Sequence, residues 1–111
     1  MITDKDMRVF EGYSEWVERK IITPHDERLN ENILGLVEEA GEVAGKVKRR
    51  LRDKTQVKRE EILLELGDVL FYTTALANYY GYNLATTIAH NMLKLDGRES
   101  RKTIKGSGDK R

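Results

Sequence analysis

The sequence contains no cysteine, and this absence excludes disulfide bonds, zinc–thiolate sites and thiol catalysis. The N-terminus lacks the apolar run of a signal peptide. No segment is long and apolar enough to cross a membrane. We therefore expect a cytoplasmic protein that has no membrane partner.

Net charge is also almost lacking, because twenty Lys and Arg residues against nineteen Asp and Glu residues leave +1. No overall field argues for nucleic acid as a partner. The charges are unevenly distributed, since basic residues outnumber acidic ones by seven to three from Lys94 to Arg111. This basic end suits an anionic ligand, although a charged tail that only increases solubility would explain the same composition.

Proline occurs once, at Pro24, and long segments have apolar residues at helical spacing, which predicts an all-α protein. Thr3 is expected to cap the first helix, Gly81 to end the third and Asn83 to cap the fourth. Residues 22–28 are predicted to form the connection between the first and second helices. The four predicted helices cover residues 4–20, 30–51, 56–80 and 84–95, with an extension of the last toward 101 as an alternative.

A length of 111 residues predicts a single domain, which we place at residues 1–103, followed by a flexible basic tail at 104–111. A chain of this size buries only about two-thirds of its unfolded surface. We therefore expect a bundle of about four helices that is completed by oligomerisation. The predicted buried stripe of the third helix consists of Ile62, Leu66, Val69, Leu70, Leu76 and Ala77.

Two pairs of carboxylates lie at a spacing of i,i+3, namely Glu39 with Glu42 and Glu65 with Asp68. On a helix this spacing places both side chains on one face, one turn apart. Two such pairs on neighbouring antiparallel helices would surround one point with four carboxylates. Mg²⁺ prefers oxygen ligands of this kind and keeps several waters, so the pattern predicts a magnesium site.

Two alternative interpretations compete with the metal site. Glu-rich helices often have no function beyond solvation, and this applies most to Glu38 and Glu42, which project outward. The alternative for Glu65 and Asp68, which lie close to apolar neighbours, is an ion pair with a basic residue of another helix. We find no basic residue within the apolar stripes, which favours the metal. We also expect Gly41, Gly45 and Gly67 to allow close approach of the helix backbones, because glycine inside a helix is otherwise unfavourable.

The pattern Glu38-Glu39-x-x-Glu42, a spacer, and Glu65-x-x-Asp68 resembles the signature of the MazG-like all-α nucleoside triphosphate pyrophosphohydrolases. The run Asn91-x-x-Lys94-x-x-x-Arg98 and the ending Gly-Ser-Gly-Asp-x-Arg are similar to small single-domain members, including phage-borne ones. The resemblance covers the chain from about residue 30 to its end.

The resemblance implies Mg²⁺-dependent, or Mn²⁺-dependent, hydrolysis of a (deoxy)nucleoside triphosphate to the monophosphate and pyrophosphate. Glu39, Glu42, Glu65 and Asp68 match the metal ligands of the family, and Glu38 matches an accessory position beside them. Glu39 or Glu42 is our candidate for the general base that takes a proton from the attacking water. Members generally work as homodimers or homotetramers.

Asn91, Lys94 and Arg98 share one face of the fourth helix, and we expect them to bind substrate phosphates. A solvated helix end, where basic residues favour the helix dipole, would explain Lys94 and Arg98 equally simply. Two other functions fit the acidic motif. One is a phosphoribosyl-ATP pyrophosphohydrolase, and the other is a non-catalytic helical oligomer that binds a metal or nucleotide.

Overall fold

The first helix, α1 (Asp4–Lys20), begins at the residue that the sequence predicts. In the computed structural model, which describes residues 2–109, the Thr3 hydroxyl accepts a hydrogen bond of 3.1 Å from the Asp6 backbone N–H. The Asp6 carboxylate accepts one of 3.0 Å from the Thr3 backbone N–H in return. This reciprocal pair is a capping box, which satisfies two of the free N–H groups at a helix start.

The second helix, α2 (His25–Asp53), starts five residues earlier than predicted, so most of the connection assigned to residues 22–28 is helical. Pro24 precedes the first turn, where its fixed φ is compatible with helix entry. Asp26 lies in that turn and favours the helix dipole. Arg28 binds the Glu18 carboxylate at 2.7 Å, which connects this turn to the end of α1.

The third helix, α3 (Arg59–Tyr79), ends in the manner predicted from Gly81, whose φ is +81°. The Tyr82 N–H donates to the Ala77 carbonyl at 2.9 Å, and the Gly81 N–H donates to the Asn78 carbonyl at 3.0 Å. These two bonds form a Schellman motif. The fourth helix, α4 (Leu84–Ser100), begins where the Asn83 side chain accepts from a backbone N–H, as expected.

Helices α2 and α3 form an antiparallel hairpin, because Gly35 lies against Tyr72 and Lys46 lies against Glu65. Helix α1 packs on α3 and on α4, and α4 also contacts α3. Over residues 2–109, α4 does not pack against α2. The all-α class and the four helices are therefore confirmed, and none of the described helices is long and apolar enough to cross a bilayer.

The small core lies where α1, α3 and α4 meet, and its fully buried apolar residues include Val17, Ala75, Leu84 and Ala85. Ser14 is buried at the same junction. Its hydroxyl donates to the Phe10 carbonyl and accepts from the Leu84 N–H, both at 2.9 Å. Because Leu84 is the first residue of α4, Ser14 holds the start of α4 against the middle of α1.

Much apolar surface remains exposed on the hairpin. Leu66 and Leu70, which we expected to be buried, are exposed, because α2 covers only part of the apolar surface of α3. Helix α2 carries a second apolar row that points to solvent along its length. This exposed α2 stripe consists of Ile33, Val37, Ala40, Ala44, Val47 and Leu51.

The glycines that we expected at close backbone contacts do not make them. A Cβ on Gly41 or Gly67 would meet nothing within 4 Å, and one on Gly45 would meet only the Arg49 side chain. The close approach is at Gly35 instead, where a Cβ would collide with the ring of Tyr72. The face of α2 that packs on α3 therefore includes Gly35 rather than the glycines near the acids.

The predicted irregular tail begins at Ile104, and residues 104–109 form bends and turns with positive φ at Gly106 and Gly108. Its last two residues, Lys110 and Arg111, lie outside the described part of the chain. The tail is not isolated from the bundle, because Arg98 of α4 donates to the Gly108 carbonyl at 3.2 Å.

Candidate active site

Three acidic side chains from two helices converge at the middle of the hairpin. Glu39 extends from α2, and Glu65 and Asp68 extend from α3. One carboxylate oxygen from each lies within 4.8 Å of the other two. Glu39 and Glu65 are half-buried and Asp68 is exposed, so the group, which we call the acid cluster, is open to solvent on one side.

The environment of the acid cluster opposes the ionisation of Glu39. Burial raises the pKa of the Glu39 carboxyl, and a hydrogen bond with Glu65 and the negative charges of Asp68, Glu65 and Glu38 raise it further. Ionised carboxylates at this distance repel one another unless they share a proton or a cation. The cluster is therefore a place where a cation is stabilised.

The residues of the acid cluster fit a magnesium ion by their chemistry. All three donors are carboxylate oxygens, which are the ligands that a hard divalent cation prefers. The open side leaves space for the waters that Mg²⁺ retains when it binds to proteins. The raised pKa of Glu39 supports the fit, because a bound cation would relieve the repulsion that causes it.

Glu42 and Glu38, the other acids of the predicted motif, lie on α2 outside this group of three. Both are exposed. Glu38 still contributes negative charge to Glu39, and it also lines a groove of about 540 Å³ beside the cluster. Gly35 and Tyr72 line the same groove, which is therefore continuous with the packing face of the hairpin.

A basic residue also reaches the acid cluster. The Lys46 ammonium lies 3.9 Å from a Glu65 carboxylate oxygen, and only about a fifth of either side chain is exposed. Our sequence interpretation found no basic residue within the apolar stripes, and for this position it was wrong. The signal was present, since Lys46 follows Glu39 by seven residues and Glu42 by four, which places all three on one side of α2.

Two tyrosines flank the cluster and were not assigned to the site from the sequence. Burial raises the pKa of the Tyr13 hydroxyl, and the charge of Asp68 adds to this effect. Burial likewise raises the pKa of Tyr72, followed by the charges of Glu31 and Glu39. Tyr72 lies four residues after Asp68 and thus on the same face of α3, whereas only the packing of α1 brings Tyr13 near.

Comparison with known proteins matches residues 27–102 to the model of the MazG nucleotide pyrophosphohydrolase domain. The chain is also 49% identical over 82 residues to the Gene 37 protein of Mycobacterium phage L5, an alignment that covers 70% of this chain and 72% of that protein. The chain belongs to the MazG family. No solved structure matches it.

Membership in the MazG family indicates nucleotide pyrophosphohydrolase activity in general. The matched residues 27–102 contain the whole acid cluster and the whole of α4, and they leave α1 outside. Tyr13 and Trp16 therefore belong to a helix that the family match does not cover. Trp16 stacks on Tyr13 at 5.7 Å and meets Phe71 edge-on at 6.2 Å, so its ring packs between α1 and α3.

The three phosphate-binding candidates of this MazG domain lie on α4, away from the helix that carries Glu39. Asn91 and Lys94 are exposed and Arg98 is buried. Lys94 and Arg98 both contact one carboxylate oxygen of Asp109 at 3.4 Å, and these contacts hold the pKa of Asp109 below its ordinary value. In the described chain no hydrogen bond or ion pair joins the three candidates to the acid cluster.

Proposed function

We propose that this MazG protein is a Mg²⁺-dependent nucleotide pyrophosphohydrolase that converts a (deoxy)nucleoside triphosphate into the monophosphate and pyrophosphate. The observation that carries this proposal is the convergence of Glu39, Glu65 and Asp68 from two adjacent helices. Their negative charge would repel a triphosphate directly, so the substrate requires a divalent cation between itself and the cluster.

In this proposal Glu39, Glu65 and Asp68 would hold the metal, and Glu42 would serve as a fourth ligand from the next turn of α2. Mg²⁺, or Mn²⁺ in its place, would polarise the phosphoryl oxygens and offset the negative charge of the substrate. Glu38, which adds negative charge beside Glu39, serves as an accessory acid.

The reaction transfers the α-phosphoryl group of the substrate to water. The water oxygen forms a bond to the α-phosphorus while the bond to the bridging oxygen breaks, and pyrophosphate leaves with that oxygen and its electron pair. Glu39 or Glu42 accepts the proton of the attacking water as general base.

Asn91, Lys94 and Arg98 are proposed to bind the phosphates within a homodimer or homotetramer. Helix α4 does not pack against α2 in the described chain, so a second copy is one means of bringing these residues to an acid cluster. The exposed α2 stripe supports association, since six apolar residues in a row are unfavourable in water.

The proposal is tested by incubating the protein with Mg²⁺ and a panel of dATP, dCTP, dGTP, dTTP, dUTP and phosphoribosyl-ATP, while pyrophosphate release is measured. We expect at least one deoxynucleotide to be cleaved faster than phosphoribosyl-ATP. Glu65→Gln should reduce the turnover at least about a hundredfold, since it removes a metal ligand. Glu61→Gln, one turn earlier on α3 and exposed, is the matched control and should retain turnover.

Absence of pyrophosphate release across the panel, from helical protein with Mg²⁺ present, would refute the proposed activity. Equal activity of the Glu65→Gln and Glu61→Gln variants would instead refute the assignment of the acid cluster. If Mg²⁺ raised the melting temperature without any turnover, the protein would be a non-catalytic metal-binding oligomer.

A further inference from the structure

Lys46 is in an unusual position for a lysine of this chain. Its neighbours on α2, Lys48, Arg49 and Arg50, are exposed, whereas Lys46 is half-buried and faces α3. Its ammonium lies 3.9 Å from a carboxylate oxygen of Glu65. Within residues 2–109, it is the one basic side chain in an ion pair with the acid cluster.

The ion pair with Glu65 opposes binding of a metal at the same place. A positive charge beside the cluster repels a second cation, so Lys46 lowers the affinity of Glu39, Glu65 and Asp68 for Mg²⁺. A stabilising contribution to the fold would be one reason for such a pair. A partly exposed ion pair at 3.9 Å contributes little stability, because solvent screens it.

The charge of the substrate suggests a second partner for Lys46. Mg²⁺ on three carboxylates leaves a net charge of about −1, and a triphosphate adds about −4. Positive charge is therefore needed beside the metal, and α4, which carries Lys94 and Arg98, does not pack against α2 within the described chain. The lysine side chain has a long flexible stem, so its ammonium can turn from one anion to another nearby.

We propose that Lys46 is a phosphate-binding residue of the active site, which pairs with Glu65 in the metal-free protein and contacts the leaving pyrophosphate group once the metal is bound. This inference rests on the proposed function. Lys46 thus compensates the charge of Glu65 in the metal-free chain and that of the substrate in the loaded enzyme. With a cation on the cluster, Glu65 would bind that cation, and the Lys46 ammonium would be free to contact a phosphate.

Two binding measurements on Lys46→Met test the inference independently of turnover. The first is the affinity for Mn²⁺, followed by electron paramagnetic resonance. We expect it to increase about threefold to tenfold in the variant, because a repelling charge has been removed. The second is the affinity of the Mg²⁺-loaded protein for pyrophosphate, measured by calorimetry. We expect it to decrease about tenfold, because a charged hydrogen bond has been lost.

Two further variants control for charge and for general effects of mutation. Lys46→Arg keeps a positive charge and should retain pyrophosphate affinity within about threefold. Lys48→Met removes an exposed lysine two residues further along α2 and should leave both affinities at the wild-type values. If Lys46→Met does not fold, as judged by circular dichroism, Lys46→Gln provides the same comparison with a polar side chain.

Unchanged pyrophosphate affinity in the folded Lys46→Met variant would overturn the inference, and so would weaker binding of Mn²⁺. Either result would leave Lys46 as a structural partner of Glu65. These outcomes are separate from a failure of the proposed function, which would show as absence of turnover in the wild-type protein on the nucleotide panel.

Discussion

Glu39 shows how the surroundings of one side chain convert an ordinary acid into a site component. Glu38, its neighbour in the sequence, is exposed on the same helix, whereas Glu39 is half-buried and faces Glu65. The difference between them is an angle of about 100° around α2. Burial and neighbouring negative charge raise the pKa of Glu39, so the metal-free folded protein holds a proton there more tightly than the unfolded chain does.

The raised pKa of Glu39 predicts how stability depends on pH in the absence of metal. The contribution of Glu39 is fully favourable below its unfolded pKa, near 4.5, and it is lost as the pH rises through the folded value. Glu39→Gln should therefore increase the free energy of unfolding at pH 7 in EDTA, by less than about 1 kcal/mol because solvent screens the charges. The gain should disappear near pH 4.

Urea denaturation at the two pH values measures this difference, with Glu15→Gln, an exposed position on α1, as the control. Added Mg²⁺ should reverse the order of stability, since it stabilises the wild-type protein and binds the variant more weakly. A Glu39→Gln variant that is less stable than the wild type at pH 7 in EDTA would contradict the electrostatic account of the acid cluster.

Helices α1 and α4 are joined by hydrogen bonds through Ser14 as well as by the small apolar core. Ser14 is buried and bonds to the backbone of its own helix and to the first N–H of α4. Asn78 of α3 donates to the Ser14 carbonyl at 3.0 Å, so three helices meet at this residue. The junction also fixes the direction of α4, which carries Asn91 and Lys94.

Removal of the Ser14 hydroxyl tests the contribution of this junction. Ser14→Ala leaves the Leu84 N–H without its buried acceptor, and we expect a loss of about 1–3 kcal/mol in the free energy of unfolding. Ser100→Ala at the exposed end of α4 is the matched control and should change stability by less than about 0.5 kcal/mol. Denaturation in urea gives both values. Equal stability of the two variants would show that the junction contributes nothing.

The hairpin of α2 and α3 exposes a row of apolar side chains on each of its helices. The exposed α2 stripe has the regular spacing of a helix face that packs against another helix. Leu63, Leu66 and Leu70 form a corresponding exposed row on α3. The small core at the junction of α1, α3 and α4 agrees with a chain that completes its packing by association.

Light scattering during size-exclusion chromatography tests the proposed homodimer or homotetramer. The wild-type protein should elute at two or four times the chain mass of 12.8 kDa. Val47→Glu places a charge in the middle of the exposed α2 stripe and should shift the protein to the monomer mass, because burying an unpaired carboxylate is costly. Thr55→Glu in the exposed connection after α2 should leave the mass unchanged. A monomeric wild-type protein would refute the proposal.

Features that depend on neighbours in the sequence could be predicted from the sequence alone. The caps at Thr3 and Asn83 and the end of α3 at Gly81 follow from local hydrogen bonding and backbone conformation. The same is true of the pair Glu65 and Asp68, since a spacing of three residues puts both on one helix face. The start of α2 was predicted too late because acidic residues after a proline suit a helix start as well as they suit a connection.

Helical class, four segments and paired acids thus followed from spacing along the chain, because these are properties of single helices. The partners across helices required the folded protein. The pairing of Lys46 with Glu65, the approach of Tyr13 to Asp68, and the return of Asp109 to Lys94 each depend on how helices rotate against one another or on where the backbone reverses. Rotating a helix about its axis by one residue position moves each side chain by about 100°. The spacing of residues along the chain does not reveal such a rotation.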